Sequence, residues 1–281
     1  MDFLKQLNIM KTTSLVFTMV IAPFAGVAVA STSVTYDFNS SSVGDVFAGG
    51  GVPGWTQSNS NPEAFGQSFP LAYIASSNFG GGGSNAAHLG TQRANTPDNS
   101  DTTITGDLSS LAVYNMMSVS LDMAVIDDSA DAFLGRDAFS VALTTAAGAE
   151  AATIGFNPTT GNNEQWDVSV GVNGNTSTTG QVISAGSGYT FYINSRDNPT
   201  SFSFSAADDS GLTIGLGTIN GIVTDLNSVT GISFEHDTLS LEPGTSAHTM
   251  VIEDVSVQIP EPSSSLLMVL SAGLIAIRRR R

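Results

Sequence analysis

From residue 34 to residue 257, apolar and polar side chains alternate with period two in one short run after another. Val34, Tyr36 and Phe38 alternate with Thr35 and Asp37. Val119, Leu121, Met123 and Val125 alternate with Ser120, Asp122 and Ala124. Phe139, Val141 and Leu143 follow, then Ile154 and Phe156. Trp166, Val168, Val170 and Val172 form the cleanest run; Tyr189, Phe191 and Ile193, Phe202 and Phe204, and Ile232 and Phe234 repeat it. Val251, Val255 and Val257 close the series and place Glu253 on their own, inward face. A strand with one buried face leaves this trace, because successive side chains point to opposite sides. Turn formers separate the runs: Asn157-Pro158, Gly161-Asn162-Asn163, Asn173-Gly174 and Asp208-Asp209-Ser210-Gly211. Asn173-Gly174 reads as a two-residue hairpin turn. No core segment repeats apolar residues at helical spacing, and no fixed repeat length supports a β-helix. The fold class that follows is all-β, an antiparallel two-sheet sandwich of jelly-roll type whose two chain ends lie on adjacent strands.

The stretch from Val43 to Asp101 departs from this rhythm. It is rich in Gly, Ser, Asn and Pro, and carries Trp55, Phe65, Phe69, Tyr73 and Phe79. Long loops on a rigid sandwich are where a binding surface is placed. Trp55 and Tyr73 are the candidate sugar-stacking rings, with a packed core tryptophan as the competing reading for Trp55.

Both ends differ from the middle. Residues 1–30 place Lys5 and Lys11 ahead of an apolar run that closes on Ala28-Val29-Ala30, the small-x-small pattern of a cleavable export signal. Signal peptidase and the Sec machinery are the partners this implies, with Ser31 as the mature start. Residues 260–281 run Pro260-Glu261-Pro262, then an apolar segment to Ile277, then Arg278, Arg279, Arg280 and Arg281. Ser263–Ile277 spans about 22 Å as a helix, short of a hydrocarbon core of about 30 Å. The arginines stay cytoplasmic and put the rest of the chain outside. The expected domains are therefore a signal helix at 1–30, a sandwich at 31–259 and a short transmembrane tail at 260–281.

Residues 31–259 hold three basic side chains (Arg93, Arg136 and Arg196) against 23 acidic ones, a net charge of −20. Such a surface repels phosphate backbones, which argues against a nucleic-acid partner. It suits divalent cations and neutral or cationic polymers. Cysteine is absent, which removes disulfides, thiol catalysis and thiolate metal sites.

The tail resembles the PEP-CTERM sorting signal: a Pro-Glu-Pro motif, a short hydrophobic helix and a terminal basic cluster. That resemblance implies an exosortase that cuts near the motif, an inner-membrane intermediate, and a final place at the cell surface or in an extracellular, polysaccharide-rich matrix. The core resembles the lectin-like jelly rolls that accompany such signals. Tyr36-Asp37-Phe38-Asn39 with Gly44 and Gly54-Trp55 matches their opening, and Ile252-Glu253-Asp254-Val255 their closing strand. By that resemblance the implied partner is exopolysaccharide, and a structural Ca²⁺ would be held by Glu253 with Asp37 and Asn39.

Catalytic constellations are scarce. Glu235-His236-Asp237 resembles the strand carboxylates of laminarinase-like glycosidases, which use three acids at alternate positions of one strand. The third position here is Leu239, where the acid catalyst belongs. His88, His236 and His248 match no zinc spacing, and no serine sits in a nucleophile elbow. The expectation is a non-enzymatic, carbohydrate-associated export. A ligand-free envelope protein is the alternative, and a glycoside hydrolase the more remote one.

Overall fold

The computed structural model describes residues 32–59, 72–77, 84–92, 101–111, 117–127, 137–160, 164–195, 201–220, 229–237 and 247–259. The signal, the apolar tail with Pro260, Glu261, Pro262 and Arg278–Arg281, and the aromatics Phe65, Phe69 and Phe79 lie outside these residues. Among the described residues no helix is long and apolar enough to cross a membrane.

Fifteen strands are described, numbered in chain order. They are β1 (Thr32–Asp37), β2 (Trp55–Asn59), β3 (Ala72–Ser76), β4 (Asn85–Gln92), β5 (Thr102–Asp107), β6 (Ser118–Asp127), β7 (Ala138–Thr145) and β8 (Glu150–Pro158), followed by β9 (Gln165–Val172), β10 (Asn175–Ser184), β11 (Gly188–Ser195), β12 (Ser201–Asp208), β13 (Thr213–Asn220), β14 (Val229–Asp237) and β15 (Ala247–Ile259). They pair antiparallel into two sheets. An eight-stranded sheet runs β13-β12-β11-β6-β15-β4-β3, with β1 also on β15; a seven-stranded sheet runs β10-β9-β8-β7-β14-β5-β2. The two ends of the described chain do lie side by side, with Thr32 opposite Ile259 and Asp37 opposite Asp254. β15 is bonded on both sides along most of its length: to β6 on one, and to β4 and then β1 on the other.

The alternation sorts side chains as the sequence predicts. Trp166, Val168, Val170 and Val172 of β9 and Ile232 and Phe234 of β14 point into the sandwich. They meet Val119, Leu121, Met123 and Val125 of β6 and Phe191 and Ile193 of β11. The sheets are also joined by aromatic rings. Trp55 packs edge-on to Tyr36 at 4.9 Å and to Phe47 at 5.8 Å, and tilted to Phe38 at 5.5 Å and Phe234 at 5.8 Å. Such edge-to-face contacts suit the ring quadrupoles. Gly106, opposite Trp55 in register, makes room for it: a Cβ there would stand 3.1 Å from the indole. The Asn173-Gly174 turn has both residues at positive φ (51° and 77°), the twist that a type I′ hairpin demands.

One expectation about β15 is corrected. The strand carries a bulge between Ile252 and Asp254, where one extra residue shifts the pairing with β6. The shift flips the parity of the faces. Met250 and Ile252 face the core before it, and Val255, Val257 and Ile259 after it, while Val251 is buried outside that core. Glu253 sits on the bulge itself and does not point into the sandwich. Trp55 is the second correction. At 3% exposure its ring is part of the core and is closed to a ligand.

Removing that ring should therefore unfold rather than merely disarm. Trp55→Ala is expected to cost about 3–5 kcal/mol, the usual range for emptying a large core site. Urea melts followed by circular dichroism check this; a midpoint unchanged from the parent would contradict the packing.

Candidate functional site

The outer face of the seven-stranded sheet carries an open groove. Register aligns its outward side chains into rows. Thr56, Thr105, Ser233, Ala142, Thr153 and Gly171 form one row; Ser58, Thr103, Glu235, Ser140, Gly155 and Ser169 form the next. These residues are small or hydroxylic, with Glu235 the one long side chain. No aromatic ring stands in either row. A groove of about 660 Å³ runs over part of this carpet. Thr103, Thr105, Gly231, Ser233 and Glu235 make its floor, and the β7–β8 turn with Thr145, Gly148 and Glu150 its wall. Gly231 keeps the floor low: a Cβ there would meet Thr144 Oγ1 at 2.7 Å.

The charged side chains described in and around the groove are acidic. Burial pushes the Glu235 carboxyl up, and Glu150, Asp237 and Asp101 push it further, against a hydrogen bond donated by Ser140 Oγ at 3.5 Å. Asp237 is raised by burial and then by Asp101, which also shares a hydrogen bond with it. Glu150 accepts from Thr153 Oγ1 at 2.9 Å. The described residues contain no lysine or arginine. Asp107, at the far end of the groove, is exposed and held low by two hydrogen bonds from Ser109. Its backbone carbonyl accepts from the Tyr36 hydroxyl.

A second cavity of about 380 Å³ opens where the bulge of β15 meets the other sheet's outer face, lined among others by Asn39, Asp122, Asp209, Glu253 and Asp254. Glu253 is raised by burial, with Asp122, Asp254 and Asp209 adding to it, although the Ser77 hydroxyl donates to Glu253 Oε1. Asp254 is raised by burial and then by Asp37 and Asp122, its two register neighbours. Asp122 Oδ1 is buried without a hydrogen-bond donor. Among the described residues no three acidic or histidine side chains stand close enough to enclose a metal ion.

The sequence-derived candidates are thus only partly assembled. Asn39 and Glu253 share the second cavity. Asp37 instead accepts from Asn39 N at 2.8 Å and lies in register beside Asp254. Tyr73 is half-buried on β3, on the opposite sheet from the groove, stacked on His88 at 5.5 Å. It shares no platform with Trp55. Glu235 enters the groove, whereas Leu239 lies outside the described residues. His236 points inward and is fully buried, its Nε2 3.0 Å from Asp137 Oδ2. The hydroxyls Thr103, Thr105, Thr144 and Ser233 and the acids Asp122, Asp209 and Asp254 escaped sequence reading. The hydroxyls and Asp122 were signalled only by their place on the outward half of the alternation, Asp209 only by its turn and Asp254 not at all, since it follows the bulge.

Comparison with known proteins adds the fold. No family model matches the chain, and no curated protein matches it. Among solved structures, the CBM2 module of the evolved Dit of Lactobacillus casei BL23 phage J-1 superposes with a TM-score of 0.50 at 16% identity, covering 82% of this chain and 97% of that one. The winged bean acidic lectin complexed with methyl-α-D-galactose superposes at 0.50 with 10% identity, covering 81% and 99%. This is a lectin-like sandwich. Within it, groove and acidic cavity lie on the outer faces of different sheets.

The raised carboxyls set a pH dependence. Glu235, Asp237, Glu253 and Asp254 hold protons in the fold at pH values where the unfolded chain, with carboxyls near about 4, has lost them. Stability therefore falls as pH rises through the window between those values, and their contribution is complete below it. Asp107 and Asp208, held low by turn hydrogen bonds, oppose further gain at more acid pH. His88, held below its usual value by burial, gives the opposite slope below about pH 6.5. The carboxyl contribution is therefore read as a difference between variants: the melting temperature of Glu235→Gln relative to the parent should rise as pH rises from about 5 to about 8. Calorimetry across that range is the check; a difference that stays constant or shrinks would contradict the assignment.

Proposed function

We propose that the chain is an exported, non-enzymatic protein of the cell surface or extracellular matrix that associates with carbohydrate through the outer face of its seven-stranded sheet. The observation that carries this reading is the open hydroxyl-lined groove on a lectin-like sandwich. Glycans present rows of hydroxyls and carry little apolar surface, and a carpet of Thr and Ser answers them with donors and acceptors at strand spacing. The winged bean lectin with its bound galactoside shows that this architecture accommodates a sugar in another protein. The catalytic reading is weaker: two residues after Asp237, where the sequence pattern calls for a third carboxylate, stands Leu239. Binding of the full chain to an array of polysaccharides should show retention that Gly231→Leu, which fills the groove floor, abolishes. An array with no retained polysaccharide would instead favour the ligand-free envelope protein.

Export and sorting belong to the same proposal. The ordered triplet of Pro260-Glu261-Pro262, a short apolar segment and Arg278–Arg281 supports processing by an exosortase after Sec export and signal-peptide removal. Intact-mass spectrometry of the protein from its own host should find a species that begins at Ser31 and lacks the four arginines. A dominant form still ending in Arg281 would rule this out.

A structural Ca²⁺ in the acidic cavity completes the reading. The ligand set then shifts from Asp37, Asn39 and Glu253 to Asn39, Glu253, Asp254, Asp122 and Asp209. Calcium takes six to eight oxygens in flexible geometry, so carboxylates that now stand apart could close around it. Calcium should raise the melting temperature and chelator lower it, by mass action on the folded state. The response should shrink in Asp122→Asn. A melting curve indifferent to calcium would remove the ion from the account.

A further inference from the structure

We infer that the groove takes an extended glycan chain, of the kind that equatorial β-1,4 linkages produce, laid across the strands with about three sugar residues in contact. The inference rests on the carbohydrate reading above and names the ligand class for that site.

Register sets the spacing of the groove floor. Thr56 lies opposite Thr105 and Thr105 opposite Ser233, so β2, β5 and β14 each place one hydroxyl in a single row. All three side chains line the groove. Neighbouring strands stand about 4.8 Å apart, close to the advance of about 5 Å per residue in an extended pyranose chain. Outward side chains along one strand are about 7 Å apart and fall out of step with the same chain. A glycan laid across the strands therefore meets one hydroxyl per sugar, and a glycan laid along a strand does not. A chain joined through axial bonds coils, and its hydroxyls soon leave the row. Ala142, next in the row on β7, carries no hydroxyl and lies outside the groove, which ends the footprint after Ser233.

The hydroxyls themselves are oriented. Thr56 Oγ1 donates to the Thr105 carbonyl at 3.5 Å, and Ser233 Oγ donates to the Ala142 carbonyl at 3.4 Å. Each hydrogen points along the row toward the next strand, which leaves the oxygen lone pairs to accept from sugar O–H groups. The outward rows hold no aromatic ring on which a sugar face could stack. The hydroxyl edge of an extended chain is what such a floor can meet.

The test titrates the full chain by calorimetry with cello-, manno- and xylo-oligosaccharides, which share the extended β-1,4 linkage, and with malto-oligosaccharides, whose α-1,4 linkage coils. At least one β-1,4 trimer should bind about tenfold more tightly than maltotriose. Within that series affinity should rise with length up to about three residues and then level off. Thr105→Val keeps the shape of the middle side chain and removes its hydroxyl; it should weaken the trimer about fivefold, the worth of one hydrogen bond. Thr178→Val, the same change on an exposed residue of β10 outside the groove, should leave binding unchanged. Circular dichroism melts check that both variants fold. Equal affinity for the two linkages, affinity indifferent to Thr105→Val, or an array that retains only coiled, α-linked polysaccharides would overturn the inference and leave the carbohydrate reading standing. Failure of every oligomer together with an empty array would sink both readings.

Discussion

Apolar contact between two sheets carries the load in this molecule. The chain has no cysteine to cross-link it. One charged pair within the described residues, His236 with Asp137, is buried in the sandwich. Several other carboxylates, among them Glu235, Asp237, Glu253 and Asp254, are pushed toward their protonated form by burial. The inner faces answer with a continuous cluster from Phe38 and Phe47 through Trp55, Phe234 and Trp166 to Phe202 and Phe204. Only a domain of this size encloses enough apolar surface to tolerate so unbalanced a charge. The sheets are fixed relative to one another by that contact, and both outer-face cavities inherit their shape from it.

Much of the fold was legible in the sequence, because period-two alternation is a direct consequence of burying one face. Trp166-Asp167-Val168-Ser169-Val170 could hardly be anything but a half-buried strand, and Asn173-Gly174 could hardly be anything but a tight turn. The adjacency of the chain ends followed from the architecture. Two things were not legible. The bulge at Glu253 inserts a residue without changing composition, so a parity rule carried through Val251 and Val255 put the carboxylate on the wrong face. Trp55 stands in a glycine-rich stretch that looks like loop. Its burial depends on Gly106 and Phe234, partners about 50 and 180 residues away, which no local pattern announces.

The functional surface was harder to see for a related reason. A core strand advertises itself through Val, Ile and Phe, whereas its outward half is written in Ser, Thr and Gly, the commonest residues of any exposed surface. Only register shows that Thr56, Thr105 and Ser233 lie side by side, and that Glu235 and Glu150 look across one groove. Both cavities also collect carboxylates that repel each other.

The position of β15 has a mechanical consequence. Its last residues pair with the first of β1, so a force pulling the two chain ends apart would open that ladder one hydrogen bond at a time, like a zip. A force applied at residue 259 and resisted by the body of the sandwich acts differently. It draws β15 along its own axis between β6 on one side and β4 and β1 on the other, so many bonds bear the load together. A chain held at its far end while its outer sheet grips a polymer would be loaded in this stronger direction. In that setting the last strand would serve as a tensile element, and its central place in the sheet is what would let it do so.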